Sequence, residues 1–225
     1  MPRIVPRRSP WVCLVIAWCG TAAAQPPTLT VMQPAGLQKG VPVELTLTGA
    51  NLAEPIELRT TFPARWQFLP GGTATQLRLR LEAEPASMLG WHQVYLVTKQ
   101  GLSNSRLFCV DELPQIQVAG TPHSATKAQP LTTPCVVCGA MEREKSHWFK
   151  LTVRAGQRLS FEMLGRRLGS PLDPQLTIFD ASGQKQLAFS DDAPGQQKDP
   201  RLQYVFKEAG DVLVELRDVR YLGGA

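Results

Sequence analysis

The chain of 225 residues holds only three histidines, three tyrosines and five cysteines, and each shortage excludes something. None of His92, His123 and His147 sits in an HExxH, and no serine stands in a GxSxG elbow, so neither a zinc protease nor an α/β-hydrolase is supported. GxGxxG and GxxxxGK[ST] are both missing, which removes the nucleotide cradles that carry a sequence signal. Five cysteines are too few for a disulfide-dense miniature, and no heptad or collagen repeat is present. Lys+Arg 24 against Asp+Glu 19 gives a net charge of +5, but Arg3, Arg7 and Arg8 lie in the leader described next. The remainder is near balance, without the basic footprint of a nucleic-acid partner.

What is present begins with a leader. Arg3, Arg7 and Arg8 precede the apolar run Trp11 to Trp18, and Ala22-Ala23-Ala24 supplies an A-x-A site before Gln25. Residues 1–24 therefore read as a signal peptide, with a free N-terminus expected near Gln25. The run is shorter than the roughly 20 residues of a membrane-spanning helix, and no later stretch is long enough to be a transmembrane segment. Arg7-Arg8 lacks the apolar residues that follow a twin-arginine signal, and Trp18 spoils the lipoprotein box before Cys19. The expected location is secreted, periplasmic or cell-surface.

Beyond the leader the apolar residues follow period two. Val41, Val43, Leu45 and Leu47 alternate with Pro42, Glu44, Thr46 and Thr48, and Leu77, Leu79 and Leu81 alternate with Arg78, Arg80 and Glu82. Leu159, Phe161 and Met163 repeat the pattern, as do Val212, Val214 and Leu216, with Leu213 the exception. Turn signals at Lys39-Gly40, Pro70-Gly71-Gly72, Ala155-Gly156, Ala181-Ser182-Gly183 and Ala209-Gly210 separate these runs. Many short half-buried strands imply an all-β protein. A Pro-rich polar stretch from Leu113 to Pro130 marks a junction, so we expect two tandem β-sandwich domains, over residues 25–112 and 113–225. One short helix is expected, from Ala140 to Ser146.

In the first domain the run from Gly40 to Leu52, preceded by Gln33-Pro34-Ala35-Gly36, resembles the opening of the immunoglobulin-like IPT/TIG family, and Tyr95 to Asn104 resembles its final hairpin. That resemblance implies an immunoglobulin-like sandwich. In the second, Trp148 to Leu159, Asp173 to Asp180, Phe189-Ser190-Asp191-Asp192 and Ala209 to Leu216 resemble, in order and spacing, the bacterial pre-peptidase C-terminal domain. The likeness implies a jelly-roll-like sandwich that is not itself a catalyst and stands beside secreted proteases or in large exported proteins. Ser146-His147 replaces the acidic residue usual before the aromatic strand, and the last residues, Tyr221 to Ala225, stop before a further strand that the family has. A missing strand leaves an unpaired edge, so this domain is expected to be marginally stable or completed by a partner.

Candidate sites are few. Asp173, Asp191, Asp192 and Asp199 lie in Pro/Gly-rich loops and offer the oxygen ligands that calcium takes. The alternative is that they accept hydrogen bonds from loop N–H groups, as aspartates in turns do. Adjacent Asp191 and Asp192 would serve one ion only where the backbone turns, as Pro194-Gly195 suggests. Cys135 and Cys138 form a CxxC with neither a second pair nor the right histidines for zinc. A buried thiol, a disulfide involving Cys109, and a metal or redox role all stay open, although three cysteines after the leader leave at least one unpaired within the chain. Trp66, Trp91, Trp148, Tyr204 and Tyr221 are either core residues or a carbohydrate or protein platform. Arg166-Arg167, near Arg154 and Arg158, suits an anionic polymer or is a solvated face. Together these features point to a non-catalytic exported binding or adhesion protein whose surface loops meet an extracellular protein or a cell-surface polysaccharide. The alternative is an accessory folding or targeting module of a secreted protease.

Overall fold

Strict alternation makes the clearest strand of the molecule. Gln76–Ala83 (β6) buries Leu77, Leu79, Leu81 and Ala83 on one face and turns Arg78 and Arg80 to water on the other. The computed structural model describes residues 25–224, and the expected signal peptide, residues 1–24, lies outside the described residues. Ahead of β6 come β1 (Thr28–Gln33), β2 (Gly36–Gln38), β3 (Val43–Ala50), β4 (Pro55–Thr60) and β5 (Ala64–Phe68). After it come β7 (Gly90–Thr98), β8 (Gly101–Leu102) and β9 (Arg106–Asp111). One sheet runs β1-β3-β6-β5, and a second runs β2-β9-β7-β4 with β8 beside β7. Their inner faces enclose a core that includes Leu29, Leu45, Leu47, Leu79, Leu96 and Phe108. This is an immunoglobulin-like β-sandwich.

Val41, read from its alternation as part of β3, precedes that strand and is 48% exposed. Gly49 is required where β1 meets β3 at a bulge, because a Cβ there would lie 1.8 Å from the Thr28 carbonyl oxygen.

The second half contains β10 (Gln115–Gln117), β11 (Gln129–Leu131), β12 (Val136–Cys138), β13 (Ser146–Val153), β14 (Arg158–Glu162), β15 (Pro174–Asp180), β16 (Gln186–Ser190), β17 (Arg201–Val205) and β18 (Gly210–Asp218). A five-stranded sheet, β11-β13-β18-β15-β16, faces two separate two-stranded sheets, β10-β12 and β14-β17. Its core gathers Phe149, Leu151, Val153, Leu176, Ile178, Phe206, Val212 and Val214. Leu213, the exception to the alternation of β18, is buried because β18 is the middle strand and the turn at Gly183 covers its other face.

The helix expected over Ala140 to Ser146 is absent. Met141 exchanges both backbone hydrogen bonds with Gly224, Glu144 takes a left-handed φ of 60°, and Ser146 already opens β13. A residue whose N–H and C=O pair with a distant segment has neither left for a helical turn. The described helical elements are the single 3₁₀ turns Ala125–Lys127 and Arg166–Leu168, so no described helix is long and apolar enough to cross a membrane.

Candidate functional site

Three of the four aspartates singled out in the sequence come together. Asp173 opens the approach to β15, and Asp191-Asp192 leave β16 at a bend, so both neighbours reach one place. One carboxylate oxygen from each of Asp173, Asp191 and Asp192 lies within 4.8 Å of the others. Asp173 is buried, accepts a hydrogen bond from Lys198 Nζ at 2.7 Å, and has Arg220 Nε 3.9 Å away. Its own N–H donates to Asp218 Oδ1 at 3.0 Å, which holds the approach to the strand in place. The Oδ1 of Asp191 is buried and accepts no hydrogen bond among the described residues. Burial, then the neighbouring charges of Asp192 and Asp173, push the Asp191 carboxyl above its ordinary pKa. Three carboxylates, one with an unused oxygen, are oxygen donors of the type that hard cations take. The Lys198 ammonium places positive charge beside them.

Asp199 is not part of that group. It is fully buried, and its Oδ1 accepts from the N–H groups of Gly165 and Arg166 at 3.0 and 2.7 Å. Its Oδ2 accepts from Arg167 N and Nε at 3.1 and 2.9 Å. Four donors on one carboxylate correct the expectation of a metal ligand at this position: Asp199 is an internal anion that ties the Arg166–Leu168 turn to the loop before β17. Asp218, which the sequence reading missed, does the same for the last turn of the described chain. It accepts from Asp173, Arg220, Leu222 and Gly223, and although burial raises its pKa, these backbone donors hold it below the ordinary carboxylate value. Neither residue carries a sequence signal that separates it from any other loop aspartate.

Arg167 of the Arg166-Arg167 pair is likewise committed. The Arg167 guanidinium donates to Asp199, to Glu162 at 2.8 Å and to the Met163 carbonyl at 2.9 Å. It is an internal tie and not a free cation for a polymer.

A second candidate surface is the outer face of the β2-β9-β7-β4 sheet. Along β7 the side chains of Val94, Leu96 and Thr98 turn into the core, which leaves Trp91, Gln93 and Tyr95 on the outside. Leu107 on β9 lies opposite Gln93, and Arg59 on β4 lies opposite Tyr95. Trp91 is 46% exposed and Leu107 42%. The Tyr95 hydroxyl donates to Gln93 Oε1, and Arg59, Thr60, Thr61, Tyr95 and Leu102 line a shallow groove of about 280 Å³ at one end of the face. The sequence held the signal for this face: in Gly90–Thr98 aromatic and apolar residues occupy both phases of the alternation, so one set had to remain outside.

Each of the other aromatic candidates packs on a neighbouring side chain. Trp66 is half-buried against Phe68, Trp148 stacks on Phe179 at 5.3 Å, and Tyr204 meets Phe206 edge-on at 4.9 Å. Tyr221 stays 41% exposed beneath the Arg217 guanidinium. Of the histidines, His92 packs on Phe62 and hydrogen-bonds to the Met88 carbonyl, while buried His147 stacks on His123. Cys109, Cys135 and Cys138 are free and half-buried. Cys138 donates to Gln115 Oε1, and burial pushes the thiols of Cys109 and Cys138 up to about 11, so both are protonated at neutral pH.

No family model matches the chain, and no curated protein matches it. Several solved structures are similar, among them the following three. One is SGBP-B from a complex xyloglucan utilization locus in Bacteroides uniformis, at 11% identity and TM-score 0.33, with 87% of this chain and 68% of that one covered. A second is SGBP-B of the Bacteroides ovatus mixed-linkage glucan utilization locus, in complex with a mixed-linkage heptasaccharide, at 11% identity and TM-score 0.34. The match covers 85% of this chain and spans about half, 53%, of that one. The third is the titin Ig tandem A164-A165, at 15% identity, TM-score 0.21 and 89% coverage of both chains.

Proposed function

We propose that this chain is a non-catalytic exported binding protein and that its ligand is a polysaccharide of the cell surface or its surroundings. The observation that carries the reading is the open face of Trp91, Tyr95 and Leu107 on a rigid sheet. Sugar rings present flat C–H faces and hydroxyl edges. The faces are met by exposed aromatic rings that lose little entropy on binding, and the edges by side chains such as Gln93 and Arg59. Exposure of a tryptophan at the start of β7 costs hydrophobic free energy that a bound ligand would recover. Calcium held by Asp173, Asp191 and Asp192 belongs to the same reading, as a brace for the loops of the second sandwich.

The test is retention of the whole chain by a panel of neutral and anionic polysaccharides in affinity electrophoresis. Trp91→Ala is expected to weaken retention about tenfold or more, whereas Tyr221→Ala, an exposed aromatic on the other sandwich, leaves it unchanged. Equal retention of the Trp91 variant and the parent, or no retention by any polymer, overturns the reading.

A further inference from the structure

The geometry points to a second copy of this chain as the partner of β14: we propose that two copies join antiparallel along that strand, with a two-fold axis through Ser160. β14 and β17 form a two-stranded sheet, and β17 is the sole backbone partner of residues 158–162 among the described residues. The opposite edge of β14 is therefore unpaired. Bonds at the two ends of the ladder fix which residues face that edge: Phe206 N–H donates to the Gln157 carbonyl and Met163 N–H to the Pro200 carbonyl. Antiparallel ladders alternate bonded and non-bonded pairs, so Leu159 and Phe161 bond to β17, while the N–H and C=O groups of Arg158, Ser160 and Glu162 point to the open edge.

That edge is self-complementary. With the axis at Ser160, Arg158 stands opposite Glu162 of the second copy, Ser160 opposite Ser160, and Glu162 opposite Arg158. These are the three residues whose backbone groups are free, so all three become hydrogen-bonded pairs, and two of them join opposite charges. The apolar positions also match, since Leu159 meets Phe161. Both are half-buried on the inner face of β14, against a core they only partly close. Glu162 already lies near Arg167 and Arg201 of its own chain, whereas Arg158 has no carboxylate within ion-pair distance among the described residues. The second copy supplies one. β17 lacks this property: a two-fold axis at Gln203 would place Arg201 opposite Val205. Its flank is also engaged, because Ser190 Oγ bonds both N–H and C=O of Arg201.

Sedimentation of the whole chain across micromolar to submillimolar concentration tests the inference. The parent is expected to show a concentration-dependent monomer–dimer equilibrium. Arg158→Glu sets like charges opposite each other twice and raises the dissociation constant about tenfold or more. Ser160→Pro removes an N–H that β17 does not use, so it abolishes the dimer while sparing the β14–β17 ladder. Should that variant fail to fold, Ser160→Cys provides an independent readout. It is expected to form a disulfide-linked dimer under mild oxidation, because the two sulfurs meet on the axis, while Gln203→Cys on β17 and the parent do not. A parent that is monomeric throughout, a dimer that survives Arg158→Glu and Ser160→Pro, or equal crosslinking at 160 and 203 overturns the proposal.

Discussion

The first sandwich buries sixteen apolar side chains in its core and leaves four half-covered, whereas the second buries eight and leaves ten, among the described residues. The sheets account for the difference. Four strands face five in the first, but in the second five strands face two separate pairs, so Leu159, Phe161, Leu202 and Tyr204 are only partly roofed. The polar interiors run the other way. The first sandwich buries Ser87, Thr98 and Ser103, which are uncharged, while the second buries Asp173, Asp199, Asp218 and His147. Where apolar coverage is thin, loops are held by carboxylates that collect backbone N–H groups. Such ties are directional and cooperative, and they fail as units.

The largest effect is expected from Asp199→Ala. It leaves Arg167 Nε and three backbone N–H groups without their acceptor and costs about 3–5 kcal/mol. Hydrogen exchange resolved by segment checks it: protection is lost across 163–205 while β6 and β7 keep theirs. Core truncations sharpen the contrast between the sandwiches. Leu79→Ala in the fully buried first core costs about 2–5 kcal/mol, and Leu159→Ala on half-covered β14 about 1 kcal/mol. Equal losses in denaturant unfolding would mean that the second core is as closed as the first.

The legibility of the two sandwiches differs for the same reason. Leu77, Leu79 and Leu81 announce β6 because one face is dry and the other wet, and a period of two follows directly from that. Alternation also marked β14, but it stated only which side chains face inward and not whether anything lies above them. The metal candidates were legible as loop aspartates. Which of them cluster was not, because the difference between Asp199 and Asp173 lies in the N–H donors that reach the Asp199 carboxylate from 32 to 34 residues away. The helix expected at Ala140 failed for a similar reason, since Met141 is claimed by Gly224 through a pairing that local sequence does not encode.

Calcium probes whether the cluster of Asp173, Asp191 and Asp192 is a site or a patch already neutralised by Lys198. A bound ion is expected to stabilise the chain by about 1.4 kcal/mol at ten times its dissociation constant, read as a rise in melting temperature over the chelated sample. Asp191→Asn should abolish that rise and slightly stabilise the metal-free chain, because it removes a charge that burial and two like neighbours oppose. An unmoved melting temperature at millimolar calcium assigns the cluster to Lys198 alone.

The smallest effect concerns His147, the buried residue of β13 that stacks on His123 at 5.6 Å and meets Phe149 edge-on. Burial lowers its pKa first, the charge of His123 adds to the shift, and Glu142 opposes it. A histidine whose folded value lies below its unfolded value binds its proton more readily in the unfolded chain. Its contribution is therefore fully present above about pH 6.5 and is lost as the pH falls toward the lowered folded value. His147→Gln should flatten this part of the stability profile. A pH dependence that persists unchanged in the His147 variant would overturn this assignment.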